Sequence, residues 1–158
     1  MNSPLLKRTT AGDPDFVLLI KQLDHELWVE LQEDQATYDQ FNKVPDIQTA
    51  VIVYVNDKPV ASGCFKQKAG DTVEIKRMFV QKPFRGQGLS KLVLHELETW
   101  AVEEGYHKAV LETSMHFTRA IRLYQTNGYS KIPNYATYDL LEESVCMEKI
   151  LAPLKTDE

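Results

Sequence analysis

Cysteine is scarce in this chain. Cys64 and Cys146 are the only two in 158 residues and stand 82 positions apart, so neither a disulfide framework nor a thiolate metal site is legible, and two reduced, buried thiols fit the pattern. Long apolar runs are missing too. Stretches such as residues 17–20 fall far short of the roughly 20 residues a membrane helix needs, and Met1-Asn2-Ser3-Pro4 leads into no signal-peptide core. Basic excess is absent: 18 Lys and Arg stand against 23 Asp and Glu, for a net charge of -5 and a pI near 5.4. Phosphate backbones need a basic surface, so nucleic acid is not an expected partner, and an acidic surface weakly favours amines. These absences describe a soluble, cytoplasmic protein without a membrane or nucleic-acid partner. His25, His95, His107 and His116 show no ligand spacing, so no metal is expected.

What is present suits one domain spanning residues 1–158, since a 43% hydrophobic chain of this length can bury a sizeable core. No repeat, low-complexity segment or linker interrupts it. A first strand is expected at residues 5–9, then a helix from Asp13 as N-cap and Pro14 as first helical residue. Phe16, Leu19, Ile20, Leu23, Leu27 and Leu31 recur at spacings of three and four, which carries that helix to about residue 33. Tyr38 to Phe41 adds a short helical turn before Pro45. Residues 50–55 and 60–67 flank Asn56-Asp57-Lys58-Pro59 as a hairpin, and residues 72–80 form a further strand. After a helix closed by Gly105 come a strand at 107–113, a helix ended by Gly128, and closing strands at 129–132 and 144–150. The order gives a mixed sheet covered by helices, an α/β (α+β) class.

The most informative segment joins the strand Thr72–Val80, through Gln81-Lys82-Pro83-Phe84, to Arg85-Gly86-Gln87-Gly88-Leu89-Ser90 and the apolar series Leu89, Leu92, Val93, Leu97, Trp100, Ala101. Two glycines directly before a helix let backbone N–H groups converge where the helix offers unpaired donors and partial positive charge, which is an anion cradle. An ordinary tight strand-to-helix turn is the plain alternative. The turn has neither the Lys-Ser or Lys-Thr pair of a P-loop nor a third glycine at dinucleotide spacing. On these residues alone the anion stays unnamed.

Arg85-Gly86-Gln87-Gly88-Leu89-Ser90 resembles the acetyl-CoA signature of the GNAT superfamily of N-acyltransferases, with Ser90 standing where the pattern has Gly or Ala. Residues 74–80 look like that family's fourth strand, residues 120–129 like its fourth helix and following strand, and residues 145–149 like its last strand. The resemblance covers nearly the whole chain and is sharpest over residues 74–130. It implies a GNAT fold, a mixed central sheet of six to seven strands flanked by about four helices and splayed between the fourth and fifth strands, where pantetheine lies. It implies acetyl-CoA as cosubstrate, a primary amine of a small molecule or protein as acceptor, direct transfer in a ternary complex, and dimers as a common assembly.

The same resemblance assigns roles. Backbone groups of Met78, Phe79 and Val80 would hold pantetheine and the acetyl carbonyl, with the Met78 N–H as oxyanion donor. Backbone N–H groups of Gly86, Gln87, Gly88, Leu89 and Ser90 would hold the pyrophosphate, and Arg85 would add charge. Tyr124 matches the tyrosine that protonates the departing thiolate, a task within reach of a phenol; its plain alternative is a core aromatic. Glu74 matches a carboxylate that takes the amine proton, and strand alternation puts it on one face with Lys76, Met78 and Val80. Its alternative is an ion-paired glutamate. Glu30, Glu33, Asp34, Tyr135 and Tyr138 fall in regions that often line the acceptor pocket. Two other functions stay open: a catalytically silent CoA-binding module, which binds CoA without turnover, and a nucleotide-binding protein, which ATP or NAD would stabilise more than CoA does.

Overall fold

A computed structural model describes residues 3–31, 46–136 and 138–151. The strands are β1 (Leu5–Thr9), β2 (Thr49–Val55), β3 (Lys58–Ala69), β4 (Thr72–Val80), β5 (Lys108–Ser114), β6 (Ser130–Ile132) and β7 (Ser144–Ile150). Helix α1 (Pro14–Leu31) follows β1, α2 (Leu89–Glu103) follows β4 through a 3-10 turn at Lys82–Phe84, and α3 (Thr118–Thr126) follows β5. The strands hydrogen-bond in the order β1-β2-β3-β4-β5-β7-β6. This is the expected mixed sheet: β1–β2, β2–β3, β5–β7 and β6–β7 pair antiparallel, while β4 and β5 pair parallel. The helical turn expected at Tyr38 to Phe41 lies outside the described residues.

The described residues fall into two compact units. The first comprises the chain up to Phe65 together with Lys76–Leu97. Its core on one side is built by Phe16, Leu19 and Leu23 of α1 against Ala50, Ile52, Cys64 and Phe79. Asp13 caps α1 as its residue type predicts: Oδ1 accepts from the Asp15 N–H at 2.9 Å, and Oδ2 accepts from Lys7 Nζ and Thr9 Oγ1 at 2.9 Å each. The β2–β3 hairpin turns on Asn56 and Asp57, with φ of 53° and 65°, as a two-residue primed turn needs. Strand β3 begins at Lys58, earlier than the turn residues suggest, and the register slips between Val53 and Tyr54 opposite Pro59, which has no N–H to give the ladder. Gly63 is where α2 comes closest to the sheet. A Cβ there would lie 2.6 Å from Met78 Sδ, 2.9 Å from Val93 Cγ1 and 3.1 Å from Leu97 Cδ1.

The second unit comprises Lys66–Ile75 and the chain from Glu98 onward. Val73, Ala109, Leu111, Cys146 and Met147 are its buried strand residues. Both helix ends are tied off by bonds five residues back, Tyr106 N–H to Ala101 O at 3.0 Å and Tyr129 N–H to Tyr124 O at 2.9 Å. Glu98, buried, accepts from the Tyr129 hydroxyl at 2.8 Å and from Lys149 Nζ at 2.8 Å, so the charge is paired.

Two stability measurements test this packing. Gly63→Ala is expected to lower unfolding free energy by about 1–3 kcal/mol, because sulfur and two methyl-bearing side chains must move aside; a denaturation midpoint equal to wild type would refute the close approach. Asp13 titrates below the ordinary carboxyl value: burial pulls it up, but the bonds from Lys7, the Asp15 N–H and Thr9 together outweigh that. A depressed folded value gives stability that is present above the unfolded value and lost as pH falls through the folded one. The advantage of wild type over Asp13→Asn should therefore shrink on acidification below about pH 4 in urea melts, and a constant gap would contradict it.

Candidate active site

The glycine turn and the second half of β4, from Lys76 to Val80, lie together in the first unit. Gly86 and Gly88 have φ of 79° and 80°, a region closed to most side chains, and a Cβ at either would stand in open space. Packing within the chain thus does not explain these glycines; backbone direction does. Gly86, Gln87 and Gly88 are exposed, α2 begins at Leu89, and the Leu92 N–H is bonded to Gly88 O at 3.2 Å. The N–H groups of the first helical turn precede that bond and point out of the helix end. Ser90 is half-buried in the first turn of α2. Arg85 is committed elsewhere: Nε donates to Val80 O at 2.8 Å, Nη2 to Glu26 at 2.6 Å, and the guanidinium lies 5.9 Å from the Phe79 ring centre. It braces the turn against the end of β4.

Strand β4 carries the main departure from expectation. Its parallel register with β5 runs from Thr72 opposite Lys108 to Ile75 opposite Leu111, and β4 continues to Val80 beyond that last pair. Arg77 has φ of 61°, a left-handed residue inside a strand, which bulges the chain. The simple alternation that set Glu74, Lys76, Met78 and Val80 on one face therefore does not carry across Arg77. Its guanidinium is buried and paired with Asp24 of α1, while Arg77 Nε finds no partner. Phe79 joins the α1 core, whereas Met78 Sδ lies against Gly63.

The two catalytic candidates both fall in the second unit. Glu74 is buried; Oε2 accepts the Tyr135 hydroxyl at 2.7 Å, and Lys66 Nζ stands 3.8 Å from Oε1. Tyr135 and Tyr138 meet edge to face, 5.4 Å between ring centres. Burial, then the Glu74 charge, pushes the Tyr135 hydroxyl far above the ordinary phenol value, and Tyr138 follows for the same reasons with Glu112 added. Tyr124 is the one buried residue of α3, its ring edge-on to Tyr129 at 5.7 Å. Burial, then Glu112, raises its hydroxyl as well. All three phenols keep their protons at neutral pH.

Glu112 and the bond between Tyr135 and Glu74 escaped the sequence reading. Glu112 accepts from Ser144 Oγ at 2.7 Å, and its charge reaches Tyr124, Tyr138 and Cys146. Nothing in the sequence marks a strand glutamate as the charge shared by three groups, and Tyr135 lies 61 positions from its partner. Arg119 and Arg122, with Thr118, Leu123 and Thr126, line an open groove of about 540 Å³. Burial, then Glu112 and Glu74, pushes the Cys146 thiol up to about 11 against a lowering hydrogen bond from Tyr135 and the charge of Lys68. His116 is an exposed partner of Glu143 at 3.1 Å. Glu33, Asp34 and the side chain of Glu30 lie outside the described residues.

Comparison with known proteins agrees with the fold. The chain is 26% identical to an acyl-CoA N-acyltransferase candidate from Klebsiella pneumoniae, with a TM-score of 0.79 over 94% of this chain and 98% of that one. A GNAT family acetyltransferase from Elizabethkingia anophelis, solved with acetyl-CoA bound, superposes with a TM-score of 0.68 at 18% identity over 96% and 100% of the two chains. The protein YyaT of Bacillus subtilis is 29% identical over 92 residues, 58% of this chain and 60% of its own. The first curated relatives are matched over only 29% and 60% of their lengths. Residues 17–129, well over half of the chain, match the model of the acetyltransferase (GNAT) family, and the chain belongs to that family.

Proposed function

We propose that this protein moves an acetyl group from acetyl-CoA directly to a primary amine, with both substrates bound at once. One observation carries the reading: within a single unit, a strand segment running past its last β5 partner leads into an exposed turn whose two glycines both have positive φ. Strand backbone beyond its β5 partners suits the amide-bearing pantetheine arm, which adds to it as an extra strand does. The turn suits a pyrophosphate.

In this reading, backbone groups of Met78, Phe79 and Val80 align the thioester, with the Met78 N–H facing the oxygen that becomes negative. Main-chain N–H groups from Gly86 to Ser90 hold the diphosphate, and Arg85 keeps the turn fixed rather than binding phosphate itself. Glu74 receives the proton of the acceptor amine, relayed by water. The freed nitrogen attacks the carbonyl carbon, the C–S bond breaks, and Tyr124 gives its proton to the departing thiolate. The second proton that the nitrogen sheds on becoming an amide returns through water to the Tyr124 oxygen. Tyr135 orients Glu74. Cys146, its thiol raised and buried, is a poor nucleophile at neutral pH, which favours direct transfer over an acetyl-enzyme.

CoA release from acetyl-CoA across a panel of primary amines tests the activity; a rise in melting temperature with CoA but no release with any amine would leave only a binding module. Tyr124→Phe should lower kcat by about tenfold to a hundredfold while moving the KM for acetyl-CoA far less. An unchanged kcat would remove its role. Glu74→Gln should lose rate between about pH 6 and about pH 9 relative to wild type, and Tyr135→Phe should show a smaller loss of the same kind. A Glu74→Gln profile superimposable on wild type would exclude the carboxylate as base.

A further inference from the structure

The exposed end of β3 presents a cation to the Glu74 cluster. Lys68 Nζ lies 4.2 Å from the centre of the Tyr135 ring. That ring is braced by Tyr138 at an interplanar angle of 77°, and its hydroxyl is anchored on the buried Glu74 carboxylate. Lys66, two residues earlier on β3, places a second ammonium 3.8 Å from the same carboxylate. Glu112 brings a second negative charge to this side of the unit, felt at Tyr138. An aromatic face backed by a desolvated carboxylate attracts ammonium groups, because the ring quadrupole and the ionic charge act in the same direction. The chain fills this place with its own lysine.

We infer that Tyr135 and Tyr138, backed by Glu74, form a binding site for an alkylammonium group of the acceptor, and that Lys68 occupies it as an internal stand-in which the acceptor displaces. Naming the occupant as the acceptor rests on the acetyl-transfer reading; the ammonium site itself does not. Lys68 is exposed on a long flexible stem, so holding it over the ring costs side-chain entropy, and the contact competes with an incoming cation by only about two- to fivefold. An ammonium arriving there stands beside the carboxylate that Tyr135 orients. Neutral amines and alcohols of equal size gain no such attraction, so the site selects acceptors that are charged before reaction.

Titration of the full chain with n-butylammonium, and with n-butanol as its neutral counterpart, reads the site without turnover when followed by NMR at the Tyr135 and Tyr138 amides. Butylammonium should shift both amides, and butanol should not. Lys68→Met should tighten butylammonium by about two- to fivefold and lower its KM as acceptor by a like factor, with the KM for acetyl-CoA unchanged. Lys68→Arg, which keeps a ring-stacking cation, should bind it no better than wild type. Equal shifts from butanol, or a Lys68→Met affinity equal to or weaker than wild type, would overturn the inference. The expected shifts without CoA release from any amine would leave the site standing and remove the transferase reading, whereas turnover with a KM indifferent to Lys68→Met would do the reverse.

Discussion

Ile75 and Leu111 form the last residue pair between β4 and β5, and the site hypothesis depends on the ladder stopping there. The parallel register with β5 ends at that pair although β4 runs on to Val80. Arg77 is what a continued ladder would have to overcome, since its left-handed φ breaks the even hydrogen-bond spacing that parallel strands require. Such a conformation costs an L-residue free energy, and it persists only where the surroundings fix it. Here the buried guanidinium is tied to Asp24 of α1, so the irregular point in the strand is held from the helix side. Removing Asp24 would leave the buried guanidinium unpaired, a larger loss than the pair's net contribution, whereas Asp24 is half-exposed and keeps its water.

The second unit handles its charges differently. Glu74 is matched to a phenol and a half-exposed lysine rather than to a rigid arginine fork, so its surroundings can be exchanged without exposing an uncompensated arginine. Tyr124, Tyr135 and Tyr138 all keep their protons at neutral pH, so each hydroxyl has a hydrogen to donate.

Much of this was written in local sequence. Asp13-Pro14, the Asn56-Asp57 turn, the glycines at 86 and 88 and the apolar spacing of α1 each act over a few residues, and the structure follows them. Turn chemistry and helical period are short-range, so they survive reading in one dimension. Three features were out of reach because they are made by long-range pairing. The slip opposite Pro59 follows from strand register, the bulge at Arg77 is accompanied by its pairing with Asp24 on another element, and the Glu74–Tyr135 bond follows from the fold bringing a loop to a strand. Tyr124 sits between the cases: its helix was legible, but only burial and the neighbouring Glu112 show that its proton is held.

The two thiols are placed so that each unit carries one. Cys64 lies fully buried in the first, its Sγ 3.4 Å from Lys76 O, and Cys146 lies buried in the second. Neither is open to a water-borne electrophile while its strand is in place. Alkylation of either thiol therefore has to wait for a local opening, and its rate becomes a clock for that opening. Because the two cysteines fall in different peptides, one quenched time course would report separately how often each half of the molecule breathes.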